Sequence, residues 1–213
     1  MIIIKDLKKH YGDQTVIDHF TYTFKEGKTY AITGPSGCGK TTLLNMIGLL
    51  EKPSEGYVEI EGYKNIKTSS MTATKIRRSV ISYLFQNYAL VQNESISYNL
   101  HLALHYVKDS NKSHLIEKAM KRVGVECSPK KKVCYLSGGQ QQRIALARLF
   151  LKPAKVILCD EPTGNLDRKN ADIVFEMLKG LSKEGKIVII VTHDEWLASQ
   201  CDHHINLLDN TKK

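Results

Sequence analysis

The sequence predicts an α/β fold with three parts: a parallel-sheet core, an antiparallel β layer and an inserted helical subdomain. Continuous apolar runs indicate strands buried on both faces, as in a parallel sheet that helices cover. Alternating apolar and polar residues indicate half-buried antiparallel strands. One long internal region has helical periodicity and no convincing strand, and we expect it to form the inserted subdomain.

The antiparallel layer is expected near the amino terminus. Apolar and polar side chains alternate over residues 20–25 within the region 1–30, and over residues 58–61 within the region 55–65. The core strands are expected where the chain is continuously apolar, and one short strand is expected at the end of the sequence. These segments are residues 30–32, 156–159, 187–191 and 204–208.

Helices are expected between the strands, because three stretches carry their apolar residues on one helical stripe. The stripes are Leu43, Leu44, Met46, Ile47 and Leu50; then Leu115, Ile116, Ala119, Met120 and Val123, with Gly124 as C-terminal cap; then Ile173, Val174, Met177, Leu178 and Leu181. We therefore predict one domain over residues 1–213, with a core of residues 1–86 and 136–213 and a helical subdomain of about residues 87–135.

Composition limits the class of protein. With 213 residues, 42% hydrophobic and 25% charged, the chain resembles an ordinary globular protein. No uncharged apolar run approaches the ~18 residues that span a bilayer, and the first residues lack a basic leader and a cleavage site, so we expect an intracellular chain. The five cysteines form no CxxC pair, which argues against a disulfide framework or a zinc site.

The net charge of +9 is unevenly distributed. Residues 108–132, called the basic segment below, hold eight basic and three acidic side chains, a net charge of +5. Such a segment is usually a solvated face. The alternative is attraction to an anionic membrane surface or an acidic partner. No interleaving of aromatic and basic residues supports nucleic acid as a partner.

The segment from Gly34 to Thr41 has the pattern GxxxxGK[ST], after an expected strand and before an expected helix. Glycines let such a loop wrap a phosphate with its backbone N–H groups, and the helix N-terminus adds positive potential. Lys40 is expected to bind the β- and γ-phosphates of ATP and Thr41 to bind Mg²⁺. The predicted nucleotide-binding set here is Gly34, Pro35, Ser36, Gly37, Cys38, Gly39, Lys40, Thr41 and Thr42.

Two carboxylates end the apolar run 156–159. They are expected at the carboxyl edge of the sheet, beside the glycine-rich loop. Asp160 is predicted to hold Mg²⁺ through water, and Glu161 to act as the general base for the attacking water. Together with Lys40, they predict a P-loop NTPase.

The segment Leu136-Ser137-Gly138-Gly139-Gln140 narrows the class, because the chain here resembles the ATP-binding subunit of ABC transporters. The resemblance covers essentially the whole sequence and implies a RecA-like P-loop core. In that family this signature starts a helix and contacts the γ-phosphate of ATP held by the opposite subunit. Here the helix through Ile144 and Leu149 directs its positive end at the anion. The residues implied are Ser137, Gly138, Gly139 and Gln140.

The resemblance assigns four further residues. Tyr11 stacks on adenine. Gln86 senses Mg²⁺ and the attacking water, and links the site to the permease. Asp167, in the segment 164–167, crosses the dimer interface, and His193 contacts the γ-phosphate as the switch histidine. The resemblance thus implies that Gln86 is a metal ligand and a catalytic residue, and the expected catalytic set is completed by Lys40, Glu161 and His193.

Two segments, residues 162–167 and 140–143, resemble the group that serves lipoprotein release, macrolide efflux and antimicrobial-peptide (bacteriocin) export. Val133 departs from the pattern, because that group often has proline three residues before the signature leucine. This difference could alter the loop that reports to the permease.

The resemblance implies a head-to-tail homodimer with two ATP molecules between P-loop and signature, coupled to a separate integral membrane permease. The chain would be cytoplasmic, held at the inner face of the membrane by that permease, and would export or give resistance to a peptide or lipophilic substrate. The alternative is a mechanical signalling ATPase of the division-associated type, acting through a membrane partner. A cassette acting on DNA or ribosomes is disfavoured, because no coiled coil, zinc module or tandem cassette is present.

Overall fold

The computed structural model describes residues 1–108, 111–164 and 166–209, which form two sheets and surrounding helices. The strands are β1 (Ile2–Tyr11), β2 (Gln14–Phe24), β3 (Thr29–Thr33), β4 (Glu55–Ile60), β5 (Ile81–Leu84), β6 (Val156–Asp160), β7 (Ile187–Val191) and β8 (His203–Asn206). The helices are α1 (Lys40–Ile47), α2 (Met71–Ser79), α3 (Ile96–Ala103), α4 (Lys112–Arg122), α5 (Gly138–Leu151), α6 (Arg168–Lys183) and α7 (Glu195–Gln200), with a 3₁₀ turn at Val133–Tyr135. Within these described ranges, no helix is both long and apolar enough to cross a bilayer.

The antiparallel layer is a three-stranded sheet of order β2-β1-β4. Ile2 of the central strand pairs with Phe24 on one side and Ile60 on the other. Phe20 and Phe24 are buried and Tyr22 is half-buried, so the predicted alternation is confirmed. The strand expected over residues 55–65 ends at Ile60, because the chain turns there and Glu61 adopts a positive φ of 51°.

The second sheet has the order β5-β6-β7-β3-β8, and all of its strand pairs are parallel. The apolar runs correspond to β3, β6 and β7, and every residue of these strands is buried. The strand expected near the end of the sequence is β8, which starts one residue earlier and stops at Asn206. Because the strands are parallel, the loops after β3, β5, β6 and β7 meet at one carboxyl edge.

Most of the predicted helical stripes are confirmed. In α4 the buried residues include Ile116, Ala119 and Met120, and Gly124 follows with a φ of 66°, as a C-terminal glycine should. The stripe assigned to the first helix was wrong at its end. Leu50 lies beyond α1 and is 48% exposed, because the helix is capped at Gly48 and Leu49 turns to a φ of 56°.

The region between the two halves of the core contains α3, α4 and the 3₁₀ turn. Both helices pack against α5, which also contacts β5 of the parallel sheet. One hydrophobic cluster therefore runs from Leu100 and Ile116 through Ile144 to Ile157 of β6. The division into subdomains near residues 87 and 135 remains a prediction. Asp109 of the basic segment lies outside the described residues.

Candidate nucleotide-binding site

A cavity of about 660 Å³ opens at the carboxyl edge of the parallel sheet. The loops after β3, β5, β6 and β7 contribute to its wall, together with the first hairpin of the antiparallel layer. Its lining residues are Tyr11, Val16, Ser36, Gly37, Gly39, Lys40, Thr41, Thr42, Gln86, Asp160, Glu161 and His193. The structure thus brings together eleven residues that the sequence assigned to the site, with Val16 as an addition. Gly34, Pro35 and Cys38 belong to the same loop but do not line the cavity.

The glycine-rich loop runs from the end of β3 to the start of α1, and the side chain of Lys40 donates hydrogen bonds back to its backbone. Lys40 is 9% exposed, and its Nζ donates to the carbonyl oxygens of Gly34 at 2.8 Å and Pro35 at 3.0 Å. Gly39 has a φ of 98°, and a Cβ atom there would lie 2.7 Å from Cγ1 of Val16. Only glycine fits at this close approach between loop and hairpin. Val16 was not predicted from the sequence, because its contact with Gly39 joins two segments that are distant along the chain.

Asp160 and Thr41 meet at the base of the cavity. The Thr41 hydroxyl donates to Oδ1 of Asp160 at 3.2 Å, and Asp160 is buried. Burial raises the pKa of Asp160, and the hydrogen bond from Thr41 opposes that rise. A hydroxyl and a carboxylate are hard oxygen donors of the kind that Mg²⁺ takes, usually with phosphates and waters completing its shell. Among the described residues no three His, Cys, Asp or Glu side chains cluster as a metal site.

Glu161 lies at the turn after β6, with a φ of 48°. Its backbone N–H donates to the Val191 carbonyl at 2.9 Å, which ties the turn to β7. Its Oε2 accepts from the Thr192 hydroxyl at 3.2 Å and from the His193 N–H at 3.4 Å. Its Oε1 lies 2.9 Å from Nδ1 of His193.

The two partners differ in exposure, since the side chain of Glu161 is 13% exposed and that of His193 is 70% exposed. The carboxylate is therefore held within the protein, whereas most of the imidazole faces solvent. Thr192 was not predicted from the sequence, because a threonine next to a histidine forms no recognisable motif. Its role follows only from its hydrogen bond to Glu161.

Gln86 is exposed on the loop after β5 and lines the cavity. Tyr11 is half-exposed at the mouth, where its hydroxyl donates to Glu51 and Nζ of Lys9 lies 4.6 Å from the centre of its ring. One face of the Tyr11 ring is thus covered by a cation.

The signature residues lie elsewhere. Ser137 is the N-cap of α5: its hydroxyl accepts from the Gln140 N–H at 3.3 Å, and the Gln140 side chain accepts from the Ser137 N–H at 3.2 Å. Ser137, Gly138 and Gly139 are exposed, and a Cβ atom at either glycine would meet nothing within 4 Å. No signature residue lines the cavity.

Asp167 also lies outside the cavity, where it caps α6 by accepting from the Asn170 N–H at 2.8 Å. Asn165 of the same segment is outside the described residues.

Val133 has a structural consequence that proline could not reproduce. It is buried in the 3₁₀ turn before the signature, and its N–H donates to the Glu94 carbonyl at 3.0 Å. Proline has no N–H, so the usual residue would lose this bond. The loop before the signature is therefore hydrogen-bonded to the segment that precedes α3.

Comparison with known proteins identifies the family. The family model described as ABC transporter matches residues 17–164. The macrolide export ATP-binding/permease protein MacB of Campylobacter jejuni is 35% identical over 98% of this chain, but this chain spans only 33% of its length. An uncharacterized ABC transporter ATP-binding protein of Methanocaldococcus jannaschii is 37% identical over 98% of this chain and 96% of its own.

Solved structures agree with this assignment. A dimeric bacterial ABC transporter cassette superposes with a TM-score of 0.86 at 34% identity, covering 97% of this chain and 95% of its own. A dimeric cassette in a post-hydrolysis state bound to ADP and Pi gives the same TM-score at 32% identity and the same coverage. The chain belongs to the ABC transporter family, as one of its ATP-binding, ATP-hydrolysing cassettes.

Proposed function

We propose that this chain hydrolyses ATP only when two copies form a dimer. The closing and reopening of that dimer would drive a separate integral membrane permease. One observation carries the proposal: the cavity contains the P-loop, Asp160, Glu161 and His193, while the signature residues are exposed outside it. Each chain would then supply half of two sites. The dimeric state of one solved relative, seen in two of its structures, supports this arrangement.

Within one half-site, the cavity residues divide the chemistry. Lys40 would bind the β- and γ-phosphates, and Thr41 and Asp160 would hold Mg²⁺, which neutralises phosphate charge when bound. Glu161 would accept the proton of a water that attacks the γ-phosphorus, while the bond to the β-phosphate oxygen breaks and releases ADP and phosphate. Gln86 would orient that water and the cation.

His193 would change partners during this cycle. In the structure Nδ1 of His193 lies beside Oε1 of Glu161. A γ-phosphate in the cavity would draw the exposed imidazole away and free Oε1, whereas Thr192 keeps Oε2 in place. Tyr11 would stack on adenine with the ring face that Lys9 leaves open.

The signature of one copy would complete the site of the other. The exposed N-terminus of α5 presents N–H groups and positive potential, which suits a γ-phosphate held by the opposite chain. Asp167 would lie at the same interface. ATP would close the dimer, and loss of the γ-phosphate would reopen it.

Mixing two inactive variants tests this arrangement. Gly139→Asp places a carboxylate where the phosphate of the other chain would lie, and a Cβ atom at this position meets nothing within 4 Å in its own chain. Glu161→Gln removes the base. Each variant alone should be inactive, but a heterodimer joins the intact Glu161 of one chain to the intact Gly139 of the other. We expect the mixture to recover up to about a quarter of wild-type turnover, since half of randomly formed dimers carry one competent site. A mixture no faster than the two variants measured separately refutes the shared site.

The membrane partner would be a permease that exports, or confers resistance to, a peptide, bacteriocin-like or lipophilic substrate. The MacB relatives support this, because their names combine an ATP-binding part and a permease, and this chain spans a third of their length. In such an assembly the chain would lie on the cytoplasmic face of the membrane, held there by the permease.

A basic groove between α2, α3 and the end of α5 is the docking surface that we propose for this partner. It consists of two adjoining cavities of about 230 and 750 Å³, which share Thr74, Arg78 and Tyr106. Its cations are Lys75, Arg77, Arg78 and Lys152.

The charge of the groove selects the kind of segment that fits. No Asp or Glu of the described residues lines it, so an anionic group that enters the groove meets only cationic and neutral side chains. Exposed apolar side chains flank it, including Met71, which is 90% exposed. An acidic, partly apolar segment of the permease would neutralise these charges and cover the apolar rim.

A charge reversal in the groove tests the docking surface. Arg78→Glu should lower capture of the permease from detergent-solubilised membranes about tenfold, because like charges then face each other. Turnover of the isolated chain should stay within about twofold, since Arg78 is not part of the cavity. The captured protein is identified by mass spectrometry and must stimulate turnover. Lys130→Glu in the basic segment is the matched control; loss of capture with that variant alone would assign docking to the basic segment instead.

A further inference from the structure

The turn that carries Gln86 is strained. It is closed by the N–H of Tyr88, which donates to the Phe85 carbonyl at 2.9 Å. Tyr88 and Ala89 then adopt φ values of 63° and 46°, in the left-handed region that non-glycine residues seldom occupy. Two successive residues in this region persist only where the surroundings hold them.

Arg148 of α5 holds this turn from outside the cavity. Its Nη1 donates to the Ala89 carbonyl at 2.7 Å, and its Nη2 donates to the Tyr88 carbonyl. The rigid fork of a guanidinium suits two successive carbonyls in a way that an ammonium does not. Burial lowers the pKa of Arg148 to about 10, which leaves the side chain charged at neutral pH.

Gln142 connects the same turn to the segment after Glu161. Its side chain is buried, its Oε1 accepts from the Tyr88 hydroxyl at 3.5 Å, and its Nε2 donates to the Pro162 carbonyl. The turn of Gln86 and the turn of Glu161 are therefore both bonded to one helix.

We propose that Arg148 is a positioning residue for Gln86, and that Gln142 keeps that turn in register with the turn of Glu161. Neither side chain lines the cavity. Arg148 acts through the backbone carbonyls of Tyr88 and Ala89, and Gln142 acts through the Tyr88 hydroxyl and the Pro162 carbonyl. Because Ser137 to Gln140 begin the same helix, contact of the signature with a second copy's nucleotide would shift Gln86 and Glu161 in the chain that donates the signature. This last consequence rests on the proposed function.

A double-mutant cycle on MgATP turnover of the purified chain tests the assignment. Arg148→Met and Gln86→Ala should each lower kcat about tenfold and change KM less than about threefold, because Lys40 and the P-loop are untouched. The double variant should be no slower than Gln86→Ala alone, since the effect of Arg148 passes through Gln86. Independent effects would instead multiply to about a hundredfold.

A rescue and a matched control separate positioning from mere stability. Ala89→Gly should restore most of the turnover of Arg148→Met, because glycine adopts a positive φ without strain. Arg148→Lys keeps the charge but lacks the guanidinium fork, so it should also lower kcat, and it covers the case in which Arg148→Met does not fold. Arg143→Met is the control: Arg143 is on the same helix but binds Asn170 and the Gly124 carbonyl, so its effect should multiply with that of Gln86→Ala.

Multiplying effects of Arg148→Met and Gln86→Ala, or no rescue by Ala89→Gly, would overturn the assignment. Recovery on mixing Gly139→Asp with Glu161→Gln does not depend on Arg148. If mixing restores turnover but the effects of Arg148→Met and Gln86→Ala on kcat multiply, the positioning role of Arg148 is wrong and the shared site is still supported.

Discussion

Glu161→Gln is expected to bind ATP, to hydrolyse it at least about a hundredfold more slowly and to accumulate as a dimer, since a positioned base contributes roughly 10² to 10⁴ in rate. The substitution keeps the shape of the side chain. The amide oxygen still accepts from the Thr192 hydroxyl and the His193 N–H, so the turn after β6 should not move. What is lost is the capacity to take a proton from water. The γ-phosphate that joins the two chains is then not removed.

Size-exclusion chromatography with and without ATP measures the dimer, and phosphate release measures the turnover. Glu176→Gln is the matched control, because it neutralises an exposed carboxylate on α6. It should hydrolyse ATP normally and remain monomeric after the nucleotide is consumed. Turnover of Glu161→Gln within about threefold of wild type would exclude Glu161 as the base.

The strands and helices that the sequence predicts best are those whose buried positions form a regular pattern of apolar residues along the chain. The strands β3, β6 and β7 are buried on both faces, and so they are continuous apolar runs in the sequence. The alternation around Phe20 reflects a sheet with one buried face. By contrast, α2 buries only Ala73 and Ile76, which is too few apolar positions to reveal a helix.

The candidate site follows the same division. Lys40, Thr41 and Asp160 occur in local patterns with fixed spacing, and the structure places them around one cavity. Arg148 and Gln142 have no such signal. Three of their partners are the backbone carbonyls of Tyr88, Ala89 and Pro162, and every residue type has a carbonyl. The fourth is the Tyr88 hydroxyl, which is far from Gln142 in the sequence. Positioning by long-range side-chain to backbone bonds becomes visible only once the chain is folded.

Lys40→Ala is expected to lose nucleotide binding. In the structure its Nζ donates to the Gly34 and Pro35 carbonyls of the same loop, which places the positive charge beside the start of α1. Hydrogen bonds to charged groups contribute about 1.5–3 kcal/mol each. Loss of the contacts to two phosphates should therefore weaken ATP binding by a factor on the order of 10² or more.

Equilibrium titration with a fluorescent ATP analogue measures that loss. Lys183→Ala, at the last turn of α6, removes an exposed ammonium as a control and should bind normally. Thermal unfolding without nucleotide must be compared as well, since the variant also loses two bonds within the loop. Binding within about threefold of wild type would exclude Lys40 as the phosphate ligand.

The two substitutions can also be combined, because they act at successive steps. Glu161→Gln stops the reaction after the dimer has closed, whereas Lys40→Ala stops it before ATP is held. If ATP joins the two chains, adding Lys40→Ala to Glu161→Gln must abolish the accumulated dimer, and the double variant must resemble Lys40→Ala alone. A dimer that persists in the double variant would mean that the chains associate through another surface, and the division of the site between two copies would then be wrong.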